Sequence, residues 1–501
     1  MNVWTEIINA ALIGCGRKSP SFNVAADKLG GLLAQLDQND REGALLGAAA
    51  LVSLYERAGT LPLKDMPPAP GACEPDDASR CGEGAAGRLA MMLRGEYGEL
   101  FPEWLAKAAA AGRRAPEELL PELLELGRVR VWAREAILPL LGARGRWLAA
   151  QNPDWSYAVS VPDEQSWQTG NHEARLALLR KLRATDAARA RELLVSTWDE
   201  EKPDHRAEFL SVFEIGLSPE DEPMLESALD DRSKGVGRTA VKLLVQLPQS
   251  RLLQRMIERA RPMLSLGKKS RGKTTLEIIP PEACDDAMSR DGVNPKPPAQ
   301  QGIGPKAWLS KQIIGLTPPS IWNKSLGQTA DELAQAALAN KEWGALLIES
   351  WAQAAKHHQD HVWAEALLNL QGKKGFDVDL QPLFDSLPGK LKEKHLLADL
   401  RAGISLEDAY ASLSSCVHPW SATLSLAVLS ALYQDVKKRR VNDRWPLMKL
   451  LNVVAVHLDP AQIPEAISQI STAVYKDPKS PKSLDNFLTT LQFRDDMLKE
   501  I

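Results

Sequence analysis

What this 501-residue chain lacks narrows its chemistry before what it has. No apolar run reaches the roughly 20 residues of a membrane-spanning helix. The longest candidate, "ALLGAAALVSLY" from Ala44, is too short. The cysteines, Cys15, Cys73, Cys81, Cys284 and Cys416, are few, odd in number and scattered, with no C-x-x-C pair. Neither a disulfide framework nor a thiolate zinc site is indicated, and a reducing, cytoplasmic setting is the expectation. The box "LIGC", Leu12 to Cys15, spells a lipoprotein cleavage site, but "MNVWTEIINA" before it holds Glu6 and Asn9 and no Lys or Arg. It therefore lacks the basic start of an export signal. Low-complexity tracts are missing, and a formal net charge of −4 gives no chain-wide attraction to nucleic acid or an anionic membrane. No Ser/His/Asp or Cys/His arrangement carries a local nucleophile signature, and no general acid or base stands out.

What is present reads as helix. Between Asn171 and Met263 three pairs of amphipathic segments follow one another. Leu176, Leu179 and Leu182 share a face and are answered by Leu193, Leu194 and Trp198; Phe209, Leu210, Phe213 and Leu217 by Met224, Leu225 and Leu229; Val236, Val241, Leu244 and Leu247 by Leu252, Leu253 and Met256. The units recur at about 30 to 35 residues, the period of helical-hairpin solenoids, in which stacking covers the apolar face each hairpin leaves open. Ser218, with Asp221 three residues on and Pro219 between, predicts a capping box. The expected fold is all-α, a helical-hairpin solenoid with a short β-containing insertion. Its parts are an N-terminal helical region over 1–150 with a linker at about 62–83, repeats over 151–265, a loop and β insertion over 266–325, and a C-terminal helical region over 326–501.

The insertion opens with "SLGKKSRGKTTLEIIPPE", Ser265 to Glu282, which contains the phosphate-loop spelling from Gly267 to Thr274. That chemistry needs a strand entering the loop and a helix leaving it. Here a helical pattern enters and the β-branched "TTLEII" leaves, so a basic hairpin or loop is expected, and a nucleotide-binding enzyme is the least favoured reading. "AKHHQDHVWAEAL" sets His357, His361 and Glu365 at i, i+4 and i+8, one face of a continuous helix and a weak metal candidate. No metal, cofactor or catalytic residue is assigned. Arg290-Asp291-Gly292 reads as a structural turn with an ion pair. The 14 Trp outnumber the 6 Tyr and the 8 Phe. Most should pack between repeats, while Trp308 and Trp322, beside the Pro/Gly-rich run, are candidate interface anchors. Two basic clusters complete the partner-binding candidates: Lys268, Lys269, Arg271 and Lys273, and Lys437, Lys438, Arg439 and Arg440.

"ALDDRSKGVGRTAVKLLVQLPQSRLLQRM", Ala228 to Met256, resembles the HEAT-like repeat superfamily, although Arg238 stands one place later than the Val-Arg pair of that pattern. Across most of the chain, "NPDWSYAV", "SWQTGNHEARLALLRKLR", "GLSPEDEPMLESALDDRS", "SRDGVNPKPP", "GIGPKAWLSKQIIGLTPPSIW", "WAQAAKHHQDHVWAEALL" and "TLQFRDDM" resemble a bacterial domain-of-unknown-function family. Members of that family are often encoded beside a SWIM zinc-finger protein, a MoxR-type AAA+ ATPase and von Willebrand factor A domain proteins. The resemblance implies a helical-repeat component working with such an ATPase or von Willebrand A protein. The expected function is a non-enzymatic scaffold or adaptor for protein partners, without a membrane role. A nucleic-acid-binding module using the two basic clusters is the alternative.

Overall fold

The structure, a computed structural model, describes residues 3–14, 28–59, 70–76, 78–159, 164–270, 273–299, 302–437, 445–475 and 481–501. The chain divides into two compact units, Met1–Ala72 and Cys73–Ile501. The first holds α1 (Val3–Ile13), α2 (Lys28–Leu33) and α3 (Arg41–Gly59) around a small core that includes Ile7, Leu33, Ala48 and Val52.

The second unit starts with a helical block, α4 (Glu83–Leu93), α5 (Phe101–Ala110), α6 (Leu120–Val129), α7 (Arg134–Ile137) and α8 (Gly142–Ala150). A short parallel pairing of β1 (Ser79–Arg80) with β2 (Arg113–Arg114) ties its loops together. After α9 (Gln165–Thr169) come the three expected pairs: α10 (His172–Thr185) with α11 (Ala187–Thr197), α12 (Pro203–Ser211) with α13 (Glu222–Ala228), and α14 (Lys234–Leu244) with α15 (Arg251–Ala260). The antiparallel hairpin of β3 (Leu264–Ser270) and β4 (Lys273–Ile278) and the short α16 (Asp286–Arg290) lead to α17 (Pro305–Leu316), α18 (Ser320–Leu326), α19 (Ala330–Ala339), α20 (Gly344–His357) and α21 (His361–Leu368). The last part comprises α22 (Gln381–Phe384), α23 (Gly389–Arg401), α24 (Tyr410–Ser414), α25 (Ala422–Lys437), α26 (Trp445–His457), α27 (Ile463–Tyr475) and α28 (Lys482–Glu500). The protein is all-α and built of helical repeats, with two small two-stranded sheets among the described residues.

Local sequence explains where the repeats begin. Asn171, Asp186 and Ser250 each accept a backbone N–H of the helix they open, at 3.0, 3.0 and 3.2 Å. Such caps stabilise a helix by about 1 kcal/mol. The Ser218–Asp221 capping box is present as expected. Helix α10 packs on α12 and α12 on α14; later α23, α25 and α27 form one row and α24, α26 and α28 a second. A single core runs through these helices, from Trp167 to Leu491. Each large apolar side chain buried in it contributes about 1.5–3 kcal/mol.

Charged side chains link neighbouring repeats. Arg206 pairs with Asp231 at 2.9 Å, Arg255 with Glu226 at 3.1 Å, and Arg183 with Asp221 at 2.8 Å. Arg238, the residue of the HEAT-like pattern, is exposed and takes no part. Asp291 is buried and accepts from Arg255 at 2.8 Å and Arg259 at 2.6 Å, and its neighbour Arg290 donates to Asp230 at 2.7 Å while keeping the expected ion pair with Asp291 at 3.6 Å. The Arg290-Asp291-Gly292 turn is thus a structural node, with Gly292 at φ +87°.

Of the stretch 266–325, only the first part is β. Leu264 and Leu276 of the hairpin enter the long core, and Asn340 Nδ2 donates to Leu276 O at 3.2 Å. Residues 305–316 and 320–326 are helical, with Ile313, Ile314 and Trp322 wholly buried.

The last helix returns to the first block. Phe493 and Met497 of α28 belong to the core built by α4–α8. Tyr97 stacks on Phe493 with centroids 4.0 Å apart, and Arg88 lies over the same ring while pairing with Glu500 at 2.6 Å.

Candidate partner-binding surface

The sequence-derived candidates fall into different environments. Lys268, Lys269 and Lys273 lie on the strands of the β3–β4 hairpin, but their side chains, and Arg271 as a whole, lie outside the described residues. The hairpin follows α15 and no helix starts at Thr274; the next, α16, opens at Asp286. The phosphate-loop spelling therefore falls on two paired antiparallel strands, which aim no helix N-terminus at it. Lys437 is the exposed last residue of α25, and Lys438, Arg439 and Arg440 lie outside the described residues. Trp308 is half-buried. Trp322 is 0% exposed, which corrects its reading as an anchor: it packs the core and presents nothing to a partner.

The metal candidate is also corrected. His357 ends α20, Gln359 takes a left-handed φ of +51°, and His361 begins α21, so the three side chains do not share one helix face. Asp360 caps the new helix by accepting from Trp363 N at 3.2 Å. Glu365 accepts from Lys394 at 2.7 Å, and burial, followed by the charges of His358 and Lys356, pushes the His357 imidazole down to about 4. Among the described residues no group of three or more His, Cys, Asp or Glu is placed to hold a metal ion.

A surface that was not expected lies where α6 ends. Leu120-Pro121 starts that helix, and at Arg130 the backbone leaves it with φ −114° and ψ 89°. Val129 at the end of the helix and Val131 and Trp132 in the next turn, Val131–Ala133, face outward, 64%, 53% and 60% exposed. The turn is held rigidly from behind. Arg134 donates to Gly127 O at 2.8 Å, lies 4.7 Å from the Tyr157 ring centroid and pairs with Glu173 at 2.9 Å. Tyr157 donates to Leu124 O at 2.9 Å; burial first, moderated by Arg134, pushes its hydroxyl up to about 12, so it stays a donor. On the other side Glu125 accepts from Arg128 at 2.9 Å and from the Trp155 indole at 3.3 Å. Arg130 is exposed and has no ion-pair partner among the described residues. An exposed indole on a braced turn beside an unpaired guanidinium has the composition of an interface hot spot. The sequence signal is "RVRVW", Arg128 to Trp132, an alternation that breaks helical periodicity and lies outside the periodic repeat segments.

An open groove of about 530 Å³ also runs between α25 and α27, with Leu429 and Tyr433 on one wall and Glu465 and Gln469 on the other. No described helix is long and apolar enough to cross a membrane. In comparisons with known proteins, a family model described as a family of unknown function, DUF5691, matches residues 6–501. No curated protein and no solved structure matches the chain.

Proposed function

Since the chain belongs to the DUF5691 family of unknown function over nearly its whole length, we propose that it acts as a non-enzymatic scaffold that holds a protein partner through the Val129–Trp132 turn. The observation that carries this reading is the exposed, braced Trp132, flanked by two valines and an unpaired arginine. A monomeric protein gains nothing by fixing a tryptophan in water, whereas a partner that covers it gains the area of the ring without having to order it. The repeat array supports the reading from behind, because its buried charges are engaged in joining helix to helix. Arg130 favours an acidic rim on the partner. The family resemblance supplies the candidates, a MoxR-type AAA+ ATPase or a von Willebrand factor A protein.

Affinity purification from the native host in mild salt, with both neighbours expressed, tests the proposal. The tagged protein should retain one of them, and Trp132→Ala should release it. Failure to retain either, or retention unchanged by Trp132→Ala, overturns the reading. An electrophoretic shift with duplex DNA that fades steeply with salt would favour the nucleic-acid alternative.

A further inference from the structure

Where α28 meets the first helical block, four ionisable side chains converge, with Glu103 and Arg494 buried and His418 and His457 half-buried. Arg494 on α28 is 0% exposed and makes four hydrogen bonds. Two go to the Glu103 carboxylate on α5, at 2.7 and 2.9 Å, and two to the carbonyls of Ala455 and Leu458 at the end of α26, at 3.0 and 2.7 Å. His418 Nε2 stands 3.6 Å from the same carboxylate, an ion-pair distance once the ring is protonated. The His457 ring meets His418 edge-on at 5.5 Å and Trp420 at 5.6 Å, and its Nδ1 is buried with no hydrogen-bond partner among the described residues. Asp459, two residues on, is turned to Ala461 N and does not face it.

The charge count decides how this site responds to acid. With both imidazoles neutral, one guanidinium and one carboxylate balance. A proton on His418 finds the carboxylate. A proton on His457 meets the Arg494 guanidinium and finds no acceptor for the buried Nδ1, so it favours an opened site that water can enter.

We propose that Glu103, His418, His457 and Arg494 form an acid-released latch, in which a proton on His457 frees the block of α4–α8 from α28 while the repeats stay folded. Consistent with that order, burial, followed by the charges of His418 and Arg494, holds the His457 imidazole down at about 4. Burial would raise the Glu103 carboxyl, yet His418 and Arg494 outweigh it and hold that group at about 2. The sign follows from linkage. His457 binds its proton more weakly in the closed state, so closure is fully stable above about pH 6.5, weakens as pH falls towards 4, and changes no further below. Glu103 stays ionised throughout that window. One proton linked over this range shifts the opening equilibrium by about two orders of magnitude.

Hydrogen exchange of the full-length protein, read by mass spectrometry between pH 7 and 4.5 and corrected for intrinsic rates, tests the latch. Peptides of α5 and α28 should lose protection by about a hundredfold relative to those of α10–α15, and His457→Phe should reduce that change to about threefold or less. If His457→Phe folds poorly, His457→Gln carries the same expectation, and Glu103→Gln should leave α28 under-protected at every pH. An undiminished loss in the His457 variants, or equal loss in α10–α15, overturns the proposal.

Discussion

Two buried arginine–carboxylate pairs in this protein use the same chemistry over very different spans of chain. Arg183 and Asp221 are 38 residues apart and join adjacent repeats; Glu103 and Arg494 are 391 residues apart and join the first block of the long unit to its last helix. Both are bidentate. The difference lies in their company. Asp221 has a second guanidinium, Arg191, at 2.5 Å, and Phe213 lies 4.3 Å from the Arg183 guanidinium. Glu103 has the His418 imidazole instead, and the His457 ring meets His418 edge-on. The contact between neighbours, the rivet, is made of guanidinium and carboxylate groups, while the contact between distant parts, the proposed latch, adds imidazoles to them.

Removing Arg494 should have the largest effect. Arg494→Ala leaves Glu103 buried without its main partner and two carbonyls of α26 unpaired. A loss of about 3–5 kcal/mol in chemical denaturation is expected. Replacing the pair together, Arg494→Met with Glu103→Leu, should recover most of it, because the cost comes from the stranded charge. Arg183→Ala comes next, at about 2–3 kcal/mol, since Arg191 stays with Asp221. If Arg183→Ala proves the more damaging, the contrast between rivet and latch fails.

The same contrast separates what the sequence reveals from what it hides. Leu176 with Leu179, Phe209 with Phe213 and Leu252 with Met256 stand at helical spacing, and Ser218 with Asp221 marks a helix start, so the α10–α15 pairs are legible from residues close in the chain. Gly267 to Thr274 is legible for the same reason, as β-branched residues after a helix make a hairpin. The single helix expected over His357, His361 and Glu365 was wrong because periodicity alone carried it through Gln359, although Asp360 is a capping residue. The Pro/Gly-rich flanks of Trp322 suggest exposure, but the residue sits on α18, which with α17 packs into the core. The pairing of Glu103 with Arg494 has no local pattern at all; only the folded chain brings them together.

Gly127→Ala should cost less, about 1–2 kcal/mol. A Cβ at that position would overlap the Tyr157 hydroxyl, which must swing off Leu124 O or push α6 outward. Thermal unfolding should register the loss, and it extends the comparison to a third kind of contact, a close approach without charge. Because Arg134 spans Gly127 O and the Tyr157 ring, the shift should also loosen the turn that presents Trp132.

The smallest effect on stability is expected at the residue assigned the most functional weight. Trp132 is 60% exposed, so Trp132→Ala removes little packing and should change the unfolding free energy by no more than about 0.5 kcal/mol. Partner binding should respond oppositely: truncating a hot-spot aromatic costs about 2 kcal/mol or more, roughly a thirtyfold weaker Kd by calorimetry or surface resonance. Gly127→Ala should weaken binding less than Trp132→Ala while destabilising the fold more, since it displaces the indole without deleting it. A Trp132→Ala protein that unfolds readily would place the indole in the core, and one that binds its partner normally would move the interface elsewhere on the repeat array.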